Sequence, residues 1–250
     1  MNNIIGIIPA RYASQRLNAK PLAVINGLPM VVLVWNNVSK SKYLNQTIIT
    51  TDDERIADVC KQFNCPFVMT SPEINSGTER VFEAYKSLNS KYDIVVNIQG
   101  DEPLLQANDV DNLLENFIKT DYEVGTLITK INASEDVFNP NNVKVVMDRN
   151  NCAMYFSRSA IPFIRNSEQK NWNQKTNFWK HIGIYAYRID ALKKFIASPQ
   201  SHIENCESLE QIRLLELGHK YFCIETNTKL ISVDTQADLD LVRNINSSIN

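Results

Sequence analysis

The stretch IIGIIPARYASQRLNAKPL, residues 4–22, decides how this chain is read. Its apolar run, residues 4–8, ends at Pro9 and passes into a polar loop holding Arg11, Arg16 and Lys20. Ligands of open α/β folds bind in the crevice beyond the carboxyl ends of the strands. A strand-to-loop junction with three cations therefore reads as an anion site, and phosphate is the anion expected. Taken singly, each cation also fits an ordinary solvated loop charge.

Outward from that junction the chain alternates. A helix is expected over residues 29–38, where Met30, Val31, Val34, Trp35 and Val38 share a face after a turn at Asn26-Gly27. A strand at 47–50 leads to a helix at 53–63, headed by Asp52, Asp53 and Glu54, where the helix dipole favours acids. A third strand at 67–70 precedes SGTER, residues 76–80, which opens a helix. DIVVNI, residues 93–98, is short and almost wholly apolar, as a central parallel strand is, and runs directly into Gln99-Gly100-Asp101. Strand and helix alternating in this way predict a doubly wound α/β sheet.

The second half alternates less cleanly. Strands fit residues 123–131, 143–148, 153–157, 181–187, 221–226 and 231–233, and helices fit 190–197, 207–217 and 236–246. The polar stretch 165–178, rich in Asn and Gln, reads as a mobile loop.

Composition sets limits. At 250 residues and 44% hydrophobic content the chain can bury a sizeable core as one domain with an insertion. A formal net charge of -2 argues against a broad basic surface for nucleic acid. No apolar run approaches a membrane span, and the opening MNNIIGIIPAR lacks the basic region of a signal peptide, so no membrane association is expected. Five cysteines, odd in number and without a Cys-x-x-Cys pair, read as cytosolic core thiols, not as disulfides or a zinc site.

The seven glycines are too dispersed to write either G-x-G-x-x-G or the P-loop motif, so a phosphate must be held by side-chain cations and backbone N–H groups. Ser76 and Glu79 fit a capping box, although Gly77 would let a base or sugar approach the same helix start. Asp101 follows a buried strand, where catalytic groups collect, and a carboxylate there can hold Mg²⁺ together with substrate phosphates. Asp234 follows a second short run, Ile231-Ser232-Val233, and either it or Thr235 could simply cap the last helix. In HIGIYAY, alternation puts His181, Gly183 and Tyr185 on one face. Glu210, Gln211 and Arg213 fit the polar face of a helix.

Together, IIPARYASQRLNAKPL, INGLPM, TDDERI, SGTER, NIQGDEP, FNPNNVKVV, YFSRSAIP, KHIGIYAY, SLEQIRLLELG and VDT occur in the order of the 3-deoxy-manno-octulosonate cytidylyltransferase (CMP-Kdo synthetase) family. The chain resembles that family over almost its whole length, from about residue 4 to about residue 240. The resemblance implies a Rossmann-like nucleotidyltransferase with a central, mostly parallel sheet and a smaller dimerisation portion. Residues 1–130 and 190–250 would form the nucleotide-binding core, and 131–189 the sugar-binding and dimerisation portion. It implies a Mg²⁺-dependent cytoplasmic homodimer that joins CTP and Kdo into CMP-Kdo and pyrophosphate for lipopolysaccharide synthesis.

Carried residue by residue, the resemblance gives Arg11, Arg16 and Lys20 to the CTP phosphates and Ser76, Gly77 and Gln99 to the cytidine. Asp101 and Asp234 become metal ligands, with Lys20, Arg11 and Asp101 in catalytic roles. Arg158, Arg165, His181, Tyr185, Glu210 and Gln211 form the sugar-acid side. The family usually has Pro-Gly ahead of the loop lysine, where this chain has Asn18-Ala19, and Leu28 stands where lysine is frequent. Losing the Pro-Gly pair leaves the route of this loop open, although Asn18 can also adopt turn conformations. A synthetase for 8-amino-Kdo or a sialic acid stays open beside the Kdo reading, as does a non-catalytic nucleotide-sugar-binding module.

Overall fold

The computed structural model describes residues 2–13 and 17–247, which fall into two compact units, residues 1–111 with 229–250 and residues 112–228. Arg16 lies outside the described residues.

The first unit is built on β1 (Ile4–Ala10), whose apolar residues are buried along nearly its whole length. After a 3-10 turn at Lys20–Leu22, β2 (Val24–Ile25) and β3 (Leu28–Pro29) form a small hairpin leading into α1 (Met30–Val38). Then follow β4 (Gln46–Thr51), α2 (Glu54–Gln62), β5 (Phe67–Met69), α3 (Gly77–Lys86), β6 (Ile94–Ile98) and α4 (Ala107–Phe117). The sheet runs in the order β6-β1-β4-β5 and every pairing within it is parallel. Ile5, Ile7, Ile8, Val95, Val96 and Ile98 are wholly buried at its centre, each such side chain contributing ~1.5–3 kcal/mol. The predicted parallel α/β sheet is what this unit contains. Helix α4 is an addition to the sequence reading, although Val110, Leu113, Leu114 and Phe117 carry its periodicity and all are buried.

The second unit holds β7 (Val124–Ile131), α5 (Ser134–Phe138), β8 (Lys144–Met147), β9 (Ala153–Ser157), β10 (Phe178–Arg188), α6 (Ile189–Ala197), α7 (His202–Glu207), α8 (Gln211–Glu216) and β11 (Tyr221–Glu225). β7 pairs parallel with β11 and antiparallel with β10, while β8 joins β10 to β9. The chain then returns to the first unit as α9 (Gln236–Ser247).

Three local expectations change. The helix expected over 207–217 spans only Gln211–Glu216, because Ser208 takes a left-handed conformation, φ 51°, and residue 207 ends a separate, unexpected helix, α7. Residues 165–178 are not a bare loop: a 3-10 turn, Gln169–Gln174, buries Trp172 against Ile131, Val137 and Phe178, so one aromatic anchors a polar segment. Residues 231–233 make no strand; a lone bond from the Val233 amide to the Asp101 carbonyl, 2.9 Å, is too little for a ladder. Four of the five cysteines are buried free thiols and Cys206 is exposed. Among the described residues no helix is long and apolar enough to cross a membrane.

Candidate active site

In the first unit the carboxyl ends of β1 and β6 open on a cavity of about 220 Å³ lined by Arg11, Lys20, Gly77, Arg80, Gln99 and Asp101, among others. The two strand ends come close because Gly100 has no side chain: a Cβ there would stand 3.0 Å from the Pro9 carbonyl oxygen, a backbone atom that cannot step aside. Gly77 forms part of the wall, and a Cβ on it would meet only Gln99 and Pro9 at 3.9 Å. Ser76 caps α3, its hydroxyl accepting from the Glu79 amide at 3.2 Å. Gln99 donates to the Asn97 side chain at 3.3 Å.

Lys20 is presented by the 3-10 turn, and the residue before it supplies the bend. Ala19, not Asn18, is the one at positive φ, 52°. The Lys20 ammonium donates to Asp101 Oδ2 at 2.5 Å and to Asp234 Oδ1 at 3.1 Å. Burial works to lower its pKa, but the charges and hydrogen bonds of Asp101 and then Asp234 outweigh burial, and the net shift is upward. Thr235, not Asp234, caps α9: its hydroxyl accepts from the Asp238 amide at 3.3 Å, while its amide and hydroxyl both donate to Asp238 Oδ2 at 2.8 Å. The Asp234 carboxylate does not cap the helix, and its Oδ1 meets Lys20.

A further cation, not among the candidates from the sequence, lines the same cavity. Arg80, the last residue of SGTER, is wholly buried. Its guanidinium donates to Asp52 Oδ2 and the Ile74 carbonyl, each at 3.0 Å, and to the Thr70 hydroxyl at 2.7 Å. The same Asp52 oxygen stands 4.0 Å from Arg11 Nε, and Arg11 Nη1 donates to the Asn75 carbonyl at 3.1 Å. Arg11 Nε itself is buried with no acceptor. Two signals pointed here: an arginine in the first turn of a helix opposes the dipole, and TDDER has more acids than one cap needs, Asp53 being the residue that caps α2.

The sugar-side candidates all belong to the second unit. β10 carries an irregularity between Ile182 and Tyr185 that breaks the expected strict alternation, yet the His181 and Tyr185 rings still lie side by side, centroids 5.3 Å apart. The Thr126 hydroxyl donates to the Ile184 carbonyl at 2.8 Å and lies 3.1 Å from His181 Nε2. With its one proton committed to that carbonyl, Thr126 accepts from His181, which places the imidazole proton on Nε2. Burial, then the Lys180 charge, push His181 down to about 3, so it is neutral. Burial first, then Tyr187 and Glu210, hold the Tyr185 phenol well above its ordinary value, and its hydroxyl donates to Gln211 Oε1 at 3.2 Å. Gln211 Nε2 is a buried donor without an acceptor. Glu210 stands at the N-cap of α8, Arg158 is tied to main-chain carbonyls beside Glu207, and Arg165 is exposed.

A protein-family model described as Cytidylyltransferase matches residues 5–222. The chain is 43% identical over 244 residues to a 3-deoxy-manno-octulosonate cytidylyltransferase of Parabacteroides distasonis, 96% of each being covered. It is 45% identical over 249 residues to the protein of that name from Francisella tularensis subsp. holarctica, covering 98% of this chain and 99% of the relative. A solved structure of CMP:2-keto-3-deoxy-manno-octonic acid synthetase complexed with CTP superposes with a TM-score of 0.90 at 36% identity, over 99% of this chain and all of that one.

Proposed function

This chain belongs to the cytidylyltransferase family, and we propose that it couples CTP to 3-deoxy-D-manno-octulosonate (Kdo), giving CMP-Kdo and pyrophosphate for lipopolysaccharide synthesis. The observation that carries the site reading is Lys20 bridging Asp101 and Asp234 at the cavity where Arg11 keeps a buried N–H without an acceptor. Such a cavity is furnished for a polyphosphate.

Asp101 and Asp234 converge on one ammonium, so both carboxylates reach a single cation. That pair fits Mg²⁺, which takes one or two carboxylates together with substrate phosphates. Among the described residues no cluster of three or more acidic, His or Cys side chains forms a fuller cage. When bound, Mg²⁺ would polarise the phosphates and offset charge on the departing pyrophosphate.

The residues of the chain do the rest by position and charge. Arg11 and Lys20, with Arg16, hold the triphosphate, and Lys20 neutralises charge that grows as the Kdo anomeric hydroxyl oxygen attacks the α-phosphorus and pyrophosphate leaves in line. Ser76, Gly77 and Gln99 flank the cytidine. In the second unit His181, neutral and with its proton on Nε2, Tyr185, Gln211 and Glu210 supply polar contacts for the sugar hydroxyls. Arg158 and Arg165 supply partners for the acid carboxylate.

The molecule is read as a cytoplasmic homodimer. A nucleotide substrate and free thiols suit the cytoplasm, and the exposure of Phe163 at 75% and Met154 at 64% within residues 131–189 suits a partner surface. Sedimentation of the purified protein tests the dimer.

The reaction is tested by pyrophosphate release from CTP and Mg²⁺ with Kdo, its 8-amino analogue or N-acetylneuraminate, each with and without EDTA. Release with Kdo that EDTA abolishes is expected. Release with another acid alone corrects the substrate, and CTP binding without release from any acid overturns the enzymatic reading.

A further inference from the structure

Lys144, the first residue of β8, is wholly buried, an unusual place for a lysine. Its ammonium has three N–H donors and three acceptors: the carbonyls of Asn139 at 3.0 Å, Asn142 at 2.6 Å and Arg158 at 2.5 Å. Burial, then the charge of Arg158, push it down to about 8, while Glu207 pulls the other way. A cation kept at such a site is held by geometry.

That geometry centres on Arg158. Its carbonyl is taken by Lys144, and its amide donates to Glu207 Oε2 at 2.9 Å. Glu207 is fixed in turn, its other oxygen accepting from the Ser157 hydroxyl at 2.6 Å and the Tyr155 hydroxyl at 3.3 Å. The Arg158 side chain reaches three carbonyls: Nε to Glu207 at 2.7 Å, Nη1 to Pro140 at 3.1 Å and Nη2 to Ser208 at 3.3 Å. Pro140 belongs to the very segment that Lys144 pins on both sides, at Asn139 and Asn142. One N–H remains on each of Nη1 and Nη2, the number a carboxylate takes in a bidentate contact.

We infer that Lys144 and Glu207 are positioning residues for the sugar acid: they seat Arg158 so that its two remaining N–H groups meet the acid carboxylate. The inference rests on the proposed sugar-acid role of Arg158. Lys144 builds the seat from the side of residues 139–142, and Glu207 builds it from the side of residues 207–208. Neither touches the substrate, and both belong to the second unit, so their loss falls on the acid and not on the nucleotide.

The test uses Lys144→Met, which keeps the length and removes the donors, and Glu207→Gln, which keeps the shape should the first variant fold poorly. Steady-state kinetics by pyrophosphate release, varying Kdo and CTP separately, should give a Kdo KM raised at least ~10-fold with the CTP KM within about twofold. Hydrogen exchange should quicken at the amides of Asn139, Asn141, Asn142, Val143 and Arg158 in Lys144→Met, with α3 unchanged. Both KM values moving together, or neither moving, overturns the inference. Should the wild-type protein prove inactive with Kdo, the substrate reading fails separately, and the exchange result then decides for or against the seating role of Lys144.

Discussion

The amide of Val233 donates to the carbonyl oxygen of Asp101 at 2.9 Å, and this one main-chain bond sets the next residue, Asp234, beside Asp101. Two carboxylates from distant parts of the sequence are thus registered by backbone, with the Lys20 ammonium between them. A like-charge pair is tolerated there because a cation stands in its centre.

Removing that cation or its nearer partner should cripple turnover. Lys20→Ala and Asp101→Ala are each expected to lower kcat by at least ~10²-fold, the usual cost of deleting one group that stabilises transition-state charge. Pyrophosphate release at saturating CTP and Kdo measures it, and near-normal turnover in either variant would remove that residue from the reaction.

Arg80 should matter to stability before it matters to binding. Among the described residues, Arg80→Met leaves the Asp52 carboxylate, 12% exposed, with Arg11 at 4.0 Å as its remaining cation, and strips donors from two loop carbonyls. A loss of about 3 kcal/mol or more in urea unfolding is expected for breaking such a buried pair. The CTP KM should rise as Arg11 loses its neighbour's support, with the Kdo KM unmoved.

Ala19 is a place where the chain can be improved. A side chain at φ 52° is in the left-handed region, which costs an ordinary residue roughly 1–2 kcal/mol and glycine almost nothing. Ala19→Gly is expected to stabilise the protein by about 1 kcal/mol or somewhat less, since glycine also loosens the unfolded chain. Equal or lower stability in denaturant titration would show the bend to be unstrained.

His181 should make the protein acid-sensitive. Burial, then the Lys180 charge, hold the folded imidazole neutral down to about 3, against an ordinary value of 6.5. Between those values the unfolded chain carries a proton that the folded chain does not, so stability falls as pH drops through that window. Wild type should lose about 2 kcal/mol more than His181→Gln between pH 7 and pH 5, from 1.36 kcal/mol per unit below the unfolded pKa. Parallel stability curves for the two proteins would contradict a buried neutral histidine. Any acid limb in kcat near pH 6 must come from another group.

Much of the nucleotide-side unit could be read from residue order alone. Apolar runs such as Ile4 to Ile8 and Ile94 to Ile98 can be satisfied only inside a parallel sheet, and their carboxyl ends place Lys20 and Asp101 without further information. What stayed hidden depended on partners far along the chain. Arg80 and Lys144 look like any charged residue until Asp52 or the Arg158 carbonyl is brought to them. The choice between Asp234 and Thr235 as the helix cap turned on Asp238, a residue inside α9 whose amide and carboxylate both meet Thr235. Ser208 broke a continuous helical pattern by one backbone dihedral, which neighbouring periodicity does not record. The route of the Asn18-Ala19 loop stayed open for the same reason: propensity favours Asn in a turn, but the 3-10 turn that presents Lys20 takes its positive φ at Ala19.

The first unit closes only when residues 229–250 rejoin residues 1–111. During translation the amino-terminal sheet, with Arg11, Lys20 and Asp101, leaves the ribosome long before Asp234 does, so the nascent polypeptide carries both cations while one acid is still unmade. An unfinished chain therefore lacks half of the carboxylate pair that Lys20 joins. That pair is completed late in synthesis, and a ribosome stalled before Asp234 displays Lys20 with only one of its two carboxylates.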